Sequence, residues 1–273
     1  MSREPDVFAK AEEHNSRGIE LADKRWYEEA LNEFKKALAL NPNFAPAWDN
    51  AGNVYAELRR YHEALDAYLQ SLRIAPENPT GHFNVACFLQ LHGPEFAVSA
   101  FEQTLKLDPS YPDARLSLGM AHSDMGRPDL AQRELSDAVA QDPEDALARQ
   151  ELATVLMDAG QFREAIQHLK EATRLDASSF EAWLDLGVCY AQKGFYAEAE
   201  KAYLQAISLN QQELLAHYNL GAVYAQWQRP EDAVKALQTA ATLDALRVGQ
   251  WLRVDPMFDA LKGLPAFEAF RSS

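Results

Sequence analysis

The stretch WLDLGVCYAQKGFYAEAEKAY, residues 183–203, decides the fold of this 273-residue chain. Its Gly187 belongs to a series of small residues that recur every 34 residues, with a single step of 33. The series is Gly18, Gly52, Ala86, Gly119, Ala153, Gly187 and Gly221. A fixed period of this length indicates a tandem repeat rather than one compact core.

Two further series follow the same period. They are Ala30, Ala64, Ala97, Ala131, Ala165, Ala199 and Ala233, and Ala37, Ser71, Thr104, Ala138, Ala172, Ala206 and Ala240. The 33-residue steps place one missing residue between Ala86 and Ala97. Within each repeat, apolar residues fall three, four and seven apart, which predicts two amphipathic helices joined by a short turn. We expect the small residue to let two helix backbones approach, and the large residue three places on to fill the space made by the neighbouring small residue.

The motif in residues 183–203 resembles the tetratricopeptide repeat family. A Trp is followed by Leu-Gly, Tyr, Ala and an aromatic residue, here Trp183, Leu186, Gly187, Tyr190, Ala199 and Tyr203. The resemblance implies an all-α fold in which helix pairs stack into a right-handed superhelix, a tetratricopeptide solenoid. It also implies that the first helices of the pairs line a concave groove where ligands bind.

The repeat boundaries predict the domain organisation. The predicted segments are an N-terminal extension at 1–10, repeats at 11–44, 45–78, 79–111, 112–145, 146–179, 180–213 and 214–247, and a capping segment at 248–273. In the last segment, Leu246, Trp251 and Leu252 predict a truncated eighth helix. Short helical turns then carry Met257, Phe258, Leu261, Phe267 and Phe270. This segment either covers the end of the repeats or docks into another molecule.

Charge narrows the classes of partner. The formal net charge is −15, which opposes binding to nucleic acid and favours basic partners, although solubility alone also accounts for it. The N-terminus lacks the apolar stretch of a signal peptide, and no segment is apolar enough for membrane insertion. We therefore predict a cytoplasmic protein in which Cys87 and Cys189 are reduced thiols.

The repeat register predicts which residues line the groove. None of the inward positions holds Lys or Arg, and the groove is expected to be acidic near the N-terminus and increasingly apolar from Phe83 to Tyr218. It would suit a protein or peptide with basic and apolar residues, although neighbouring turns of the chain could cover part of the apolar set. Asparagines in similar positions of family members hydrogen-bond extended peptides. The predicted groove residues are Asp49, Asn50, Asn53, Glu57, Phe83, Asn84, Cys87, Leu91, Leu116, Met120, Asp124, Met157, Leu184, Val188, Tyr218 and Asn219.

The sequence offers no centre for catalysis. It contains no phosphate-binding loop, no dinucleotide fingerprint and no zinc-protease motif. His82 and Cys87 point about 140° apart on a helix, so they and His92 form no shared site. We predict no enzyme activity, no cofactor and no metal. The chain is predicted to be a non-catalytic interaction module or adaptor, and the alternative is a self-assembling scaffold built by end-to-end stacking or by docking the tail into a neighbour's groove.

Overall fold

The structure, a computed structural model, describes residues 4–265, 267 and 268, apart from the side chains of residues 4–6, 91, 92 and 94. Three residues named above lie outside this part, Leu91 and His92 by their side chains and Phe270 entirely. The described residues form α-helices, one 3-10 helix and turns, and none is in a strand. The prediction of an all-α fold is confirmed.

The helices alternate with short turns along the whole described chain. In chain order they are α1 Glu4–Asp23, α2 Tyr27–Leu40, α3 Ala45–Glu57, α4 Tyr61–Ile74, α5 Pro79–His92, α6 Pro94–Leu107, α7 Ala114–Asp124, α8 Pro128–Gln141, α9 Ala146–Asp158, α10 Phe162–Leu175, α11 Phe180–Gln192, α12 Tyr196–Leu209, α13 Leu214–Gln226 and α14 Pro230–Val254, followed by the 3-10 helix η1 Pro256–Leu261. Helix α1 begins inside the stretch predicted as an extension.

The chain divides into two compact units, residues 1–134 and 135–273, called here the N-terminal and C-terminal units. In the N-terminal unit, α1, α3 and α5 each pair with the following helix, and consecutive first helices among α1, α3, α5 and α7 also pack together. In the C-terminal unit, α9, α11 and α13 pair with α10, α12 and α14 in the same way, and α11 packs against both α9 and α13. Each unit is therefore a stack of helix hairpins.

The turn inside each hairpin explains the one short step in the period. Six hairpins place the residue seven positions after the small residue in the left-handed region, for example Arg59 and Gly194. In the third repeat this position is Gly93, which has an extended φ of −172° and is the only residue between α5 and α6. The missing residue lies in this turn, as the two registers predict.

A side-chain contact recurs at the start of the first helices. The residue four places before the small residue bonds to the backbone carbonyl six residues earlier, as from Trp48 to Pro42 at 3.0 Å and from Trp183 to Ala177 at 3.1 Å. The same bond is made by His82, Arg149 and His217. Because Trp, His and Arg all place a nitrogen there, the slot selects a polar group on a long side chain.

The closest packing joins the small residue to the second helix of its own hairpin. A Cβ atom added to Gly187 would lie 2.6 Å from the Tyr203 ring, and one added to Gly52 would lie 2.6 Å from Tyr68. The space at Gly187 is thus filled by Tyr203, the residue sixteen places on, which lies in the second helix of the same hairpin. Tyr203 is 2% exposed and lies at the centre of this contact.

The last helix contains the predicted truncated eighth helix. Asp244 interrupts α14 with φ −156° and ψ 88°, and its side chain accepts a hydrogen bond from the Arg247 amide, which caps the following helical turns. Phe258, Leu261 and Phe267 are each at most 2% exposed and belong to the same core cluster as α13 and α14. This segment therefore packs on its own chain.

Replacing Gly187 with Val should destabilise the protein by about 3 kcal/mol, because the branched side chain must displace the buried Tyr203 ring. Urea unfolding of the purified variant measures the loss.

The matched control is Gly249→Val, because a Cβ atom at this helical glycine meets nothing within 4 Å. A compensating pair tests the contact itself. Ala153 and Leu169 occupy the two equivalent positions in the fifth repeat, so Gly187→Ala combined with Tyr203→Leu should show a favourable coupling of about 1–2 kcal/mol. Equal losses at Gly187 and Gly249, or no coupling, would contradict this packing.

Candidate functional site

The predicted groove residues occupy four sets of positions on the first helices, measured from the small residue. Three positions before it lie Asp49, Phe83, Leu116, Leu184 and Tyr218; two before lie Asn50, Asn84 and Asn219; one after lie Asn53, Cys87, Met120 and Val188; and four or five after lie Glu57, Leu91, Asp124 and Met157. We refer to these positions as the inner face of each unit.

Amide side chains link neighbouring helices on the inner face of the N-terminal unit. The Asn50 amide donates to Asn15 at 3.0 Å, which joins α3 to α1. The Tyr68 hydroxyl donates to the Asn53 carbonyl oxygen at 2.8 Å. Asn53 and Glu57 are exposed, and Asn50 is half-buried. The face is thus held in a fixed arrangement by hydrogen bonds and still presents polar groups to solvent.

Asp49 is the most unusual group on this face. Its side chain is 4% exposed, and its Oδ1 atom has no hydrogen-bond partner among the described residues. Burial raises the pKa of this carboxyl to about 6, an effect that the nearby Ser71 hydroxyl and Asn84 amide only partly offset. A buried carboxylate oxygen without a partner is costly, and such groups concentrate at functional sites.

The apolar residues of the N-terminal unit do not form an exposed wall. Phe83 is half-buried and packs on Phe101 and Tyr111, with ring centroids 5.8 Å and 5.0 Å away. Leu116 is only 6% exposed, so it belongs to the core. Burial also raises the pKa of the Cys87 thiol to about 11, which keeps it protonated. The prediction of an open apolar surface is therefore corrected, because the packed hairpins cover much of it.

The inner face of the C-terminal unit carries an acidic cluster. Burial raises the pKa of Asp185 to about 6, and the neighbouring carboxylates of Glu151, Glu181 and Asp158 raise it further. Asp185 and Glu151 stand two positions before the small residue, where other repeats have asparagine. They were missing from the predicted site, although the series Asn50, Asn84, Asn219 pointed to their position. This cluster lies within the stretch from Phe83 to Tyr218, where the groove was predicted to become increasingly apolar.

The chain itself covers Tyr218, one of the predicted groove residues. Tyr218 is 5% exposed, and its hydroxyl donates to Asp255 at 2.9 Å. The rings of Trp251 and Phe258 pack against it, with centroids 4.9 Å and 5.2 Å away. Burial, together with the Asp255 carboxylate, raises the Tyr218 pKa. Tyr218 is therefore a contact for the C-terminal segment and is not open to a ligand.

The remaining predicted residues differ in accessibility. Glu57 and Asp124 are exposed, whereas Met120, Met157, Val188 and Asn219 are half-buried. Leu184 and Val188 pack at the edge of the core cluster that contains Tyr218. The accessible part of the inner face is thus polar and acidic, with half-buried apolar side chains between the acids.

The structure gives the His82–His92 segment a structural role. The His82 ring nitrogen contacts the Pro76 carbonyl oxygen at 2.9 Å, in the recurring slot described above. No set of three or more His, Cys, Asp or Glu side chains within the described ranges could hold a metal ion. None of the helices described is both long and apolar enough to cross a membrane.

These features define a helical-hairpin repeat protein. Family models for the tetratricopeptide repeat match residues 45–78, 94–154, 151–213 and 192–247, and a model described as TPR repeat matches residues 21–58. The chain belongs to the tetratricopeptide repeat family, and none of the matched models describes an enzyme.

Curated relatives match only part of this chain. It is 28% identical over 133 residues to mouse DnaJ homolog subfamily C member 7, covering 48% of this chain and 27% of that protein. It is 25% identical over 134 residues to the small glutamine-rich tetratricopeptide repeat-containing protein 2 of Mycosarcoma maydis, covering 49% and 38%. The chain thus spans less than two fifths of either relative.

Solved structures share the fold over most of their length. YrrB, described as a TPR protein with an unusual peptide-binding site, matches with a TM-score of 0.62 at 23% identity, covering 68% of this chain and 97% of YrrB. The type IV pilus biogenesis factor PilW matches with a TM-score of 0.66 at 23% identity, covering 78% and 97%. At these identities the similarity concerns the fold.

Replacing Asp49 with Asn should stabilise the protein at pH 7.5 by about 1–3 kcal/mol, because it removes the cost of ionising a buried carboxyl. Asn15 holds the same position in α1, so the amide fits. The folded pKa of about 6 lies above the ordinary 3.8, so the wild type loses stability as pH rises between these values. The advantage of the variant should vanish below about pH 4.

Urea unfolding from pH 4 to pH 8 measures this dependence. Asp124→Asn is the control, because this exposed carboxylate should change stability by less than about 0.5 kcal/mol at every pH. A stability difference for Asp49→Asn that is absent or independent of pH would show that Asp49 ionises normally.

Proposed function

We propose that this chain is a non-catalytic interaction module that binds a protein or peptide segment with basic and apolar residues along its inner faces. Tetratricopeptide repeat proteins are interaction modules, which supports protein binding in general. The preference for a basic segment comes from the charges of this chain. A cytoplasmic setting, as predicted from the sequence, belongs to the same proposal.

The buried Asp49 carboxylate, whose Oδ1 atom has no hydrogen-bond partner among the described residues, carries this proposal. A cationic group placed near Asp49 would lower its pKa and offset the cost of its burial, and that gain would appear as binding energy. Asp185 and the carboxylates around it supply a second acidic position, in the C-terminal unit. No Lys or Arg occupies the predicted groove positions of either unit.

Polar and apolar neighbours would add backbone and side-chain contacts. Asn84 is a half-buried amide that can donate and accept hydrogen bonds, which suits the backbone of an extended peptide. Met120 in the N-terminal unit and Met157 in the C-terminal unit offer adaptable apolar contacts. Because the C-terminal segment covers Tyr218, the binding faces in this proposal are those of α3, α5 and α7, and of α9 and α11.

The test is a binding assay with a fluorescein-labelled peptide of Lys, Arg and Leu, followed by fluorescence anisotropy. Glu57→Lys combined with Asp124→Lys should weaken binding about tenfold, because two exposed carboxylates on the inner face are replaced by ammonium groups that repel the basic peptide. Asp49→Asn should also weaken binding although it stabilises the fold, a combination typical of functional residues.

The matched control is Asp66→Lys combined with Glu102→Lys, which makes the same charge change on the second helices α4 and α6. If this control weakens binding as strongly, the effect is that of net charge and the inner-face proposal fails. Retained binding in the Glu57 and Asp124 double variant would also refute it.

A scaffold remains the second candidate, and exposed apolar residues near the C-terminus favour it. Leu246 and Val254 are 74% and 79% exposed. Large apolar side chains with this much exposure are suited to end-to-end contacts between copies. Docking of the tail into a neighbour is less favoured, because Phe258 and Leu261 are buried in their own chain. Light scattering decides: a monodisperse monomer at high concentration excludes the scaffold.

A further inference from the structure

A second surface of the C-terminal unit has the opposite charge from its inner face. A cleft of about 490 Å³ lies between the second helices α10 and α12, with α11 beneath it. Its rim carries Lys170, Arg174 and Lys201, against the single carboxylate of Glu198. The chain has a net charge of −15, yet three cations and one carboxylate line this cleft.

The floor of the cleft is aromatic and apolar. Trp183, Leu186 and Tyr190 line it, and Leu186 is only 3% exposed. The Trp183 indole nitrogen donates to the Ala177 carbonyl at 3.1 Å, which fixes the orientation of the ring. The Tyr190 ring packs against Phe195 at 6.3 Å. A rigid aromatic floor binds a flat or branched apolar side chain at low entropic cost.

The cations of the rim are available for a partner. Arg174 pairs with Glu171 at 2.8 Å, but both side chains are exposed, so this pair contributes little and can exchange. Lys170 and Lys201 are exposed and form no ion pair within the described part of the chain. Both lysines line the cleft.

The charge pattern is specific to these two repeats. Four repeats earlier, the positions of Lys170, Arg174 and Lys201 hold Lys35, Ala39 and Asp66. One repeat later they hold Leu204, Ser208 and Lys235. The fold therefore does not require three cations at these positions, and packing within the repeat does not explain them.

We propose that this cleft binds an acidic protein segment that inserts one aromatic or large aliphatic side chain between α10 and α12. The side chain would pack on Trp183 and Tyr190, and flanking Asp or Glu residues would pair with the lysines. Peptide anchors in apolar clefts with complementary charged rims follow this arrangement. The surface is separate from the inner face and selects a partner of opposite charge.

The experiment uses the full chain and a fluorescein-labelled peptide with one central Phe flanked by Asp and Glu, measured by fluorescence anisotropy. Binding is expected with a dissociation constant of about 100 μM or tighter. Replacing the Phe of the peptide with Ser should weaken binding about tenfold, and so should Lys170→Glu combined with Lys201→Glu.

Two protein variants keep the test interpretable. Lys235→Glu changes the same repeat position as Lys201 but lies outside the cleft, and it should leave binding unchanged. Trp183→His should weaken binding about fivefold without unfolding, because His82 and His217 occupy this slot and keep its hydrogen bond. The basic peptide of the previous section should bind the Lys170 and Lys201 double variant no more weakly than wild type, which separates the two proposals.

The proposal is overturned if the acidic Phe peptide does not bind, or if Lys235→Glu weakens it as much as the double variant. Tighter binding of a single-stranded oligonucleotide than of the acidic peptide would also overturn it, because the cleft would then recognise phosphate. Equal binding of the Phe and Ser peptides would show that the aromatic floor has no role.

Discussion

The contact between a small residue of one helix and a large side chain of its partner helix sets the geometry of every hairpin. At Gly187 there is no room even for a methyl group, because the Tyr203 ring lies against the glycine. In the fifth repeat the equivalent positions hold Ala153 and Leu169. Here alanine takes the place of glycine, and the smaller leucine takes the place of tyrosine. The two side chains share one space, and this space fixes how the first helix is rotated against the second.

Because the helices of a hairpin are held at a fixed rotation, carboxylates and cations lie on two different surfaces. Positions near the small residue on the first helices carry Asp49 and Asp185, whose pKa values are both raised to about 6. Positions on the second helices carry the cations Lys170 and Lys201 beside Trp183. Neither group is needed for packing, since other repeats have neutral or opposite residues there. We interpret both groups as residues that bind partners, carried by a fold that tolerates them.

Much of the fold could be predicted from the sequence because a repeat displays the same constraint seven times. The period, the helix pairs and the shortened turn at Gly93 all follow from the spacing of small residues. The partner of each glycine could not be found in this way, because Tyr203 and Tyr190 are both large residues at regular spacing and only packing distinguishes them. The site was predicted less well. Burial of Leu116 and Tyr218 depends on neighbouring helices and on a C-terminal segment outside the repeat. Asp185 follows the series of asparagines, but its burial and its acidic neighbours depend on packing.

The central functional claim is that ionising the buried Asp49 carboxyl costs free energy and that a basic partner reduces this cost. Nuclear magnetic resonance of the Asp49 carboxyl carbon, titrated in the free protein and with the peptide of Lys, Arg and Leu bound, tests it most directly. We predict a pKa of about 6 in the free protein and a fall of about one unit or more in the complex, since a nearby cation favours the charged form. A pKa near 3.8 in the free protein, or one that the peptide leaves unchanged, would contradict the account.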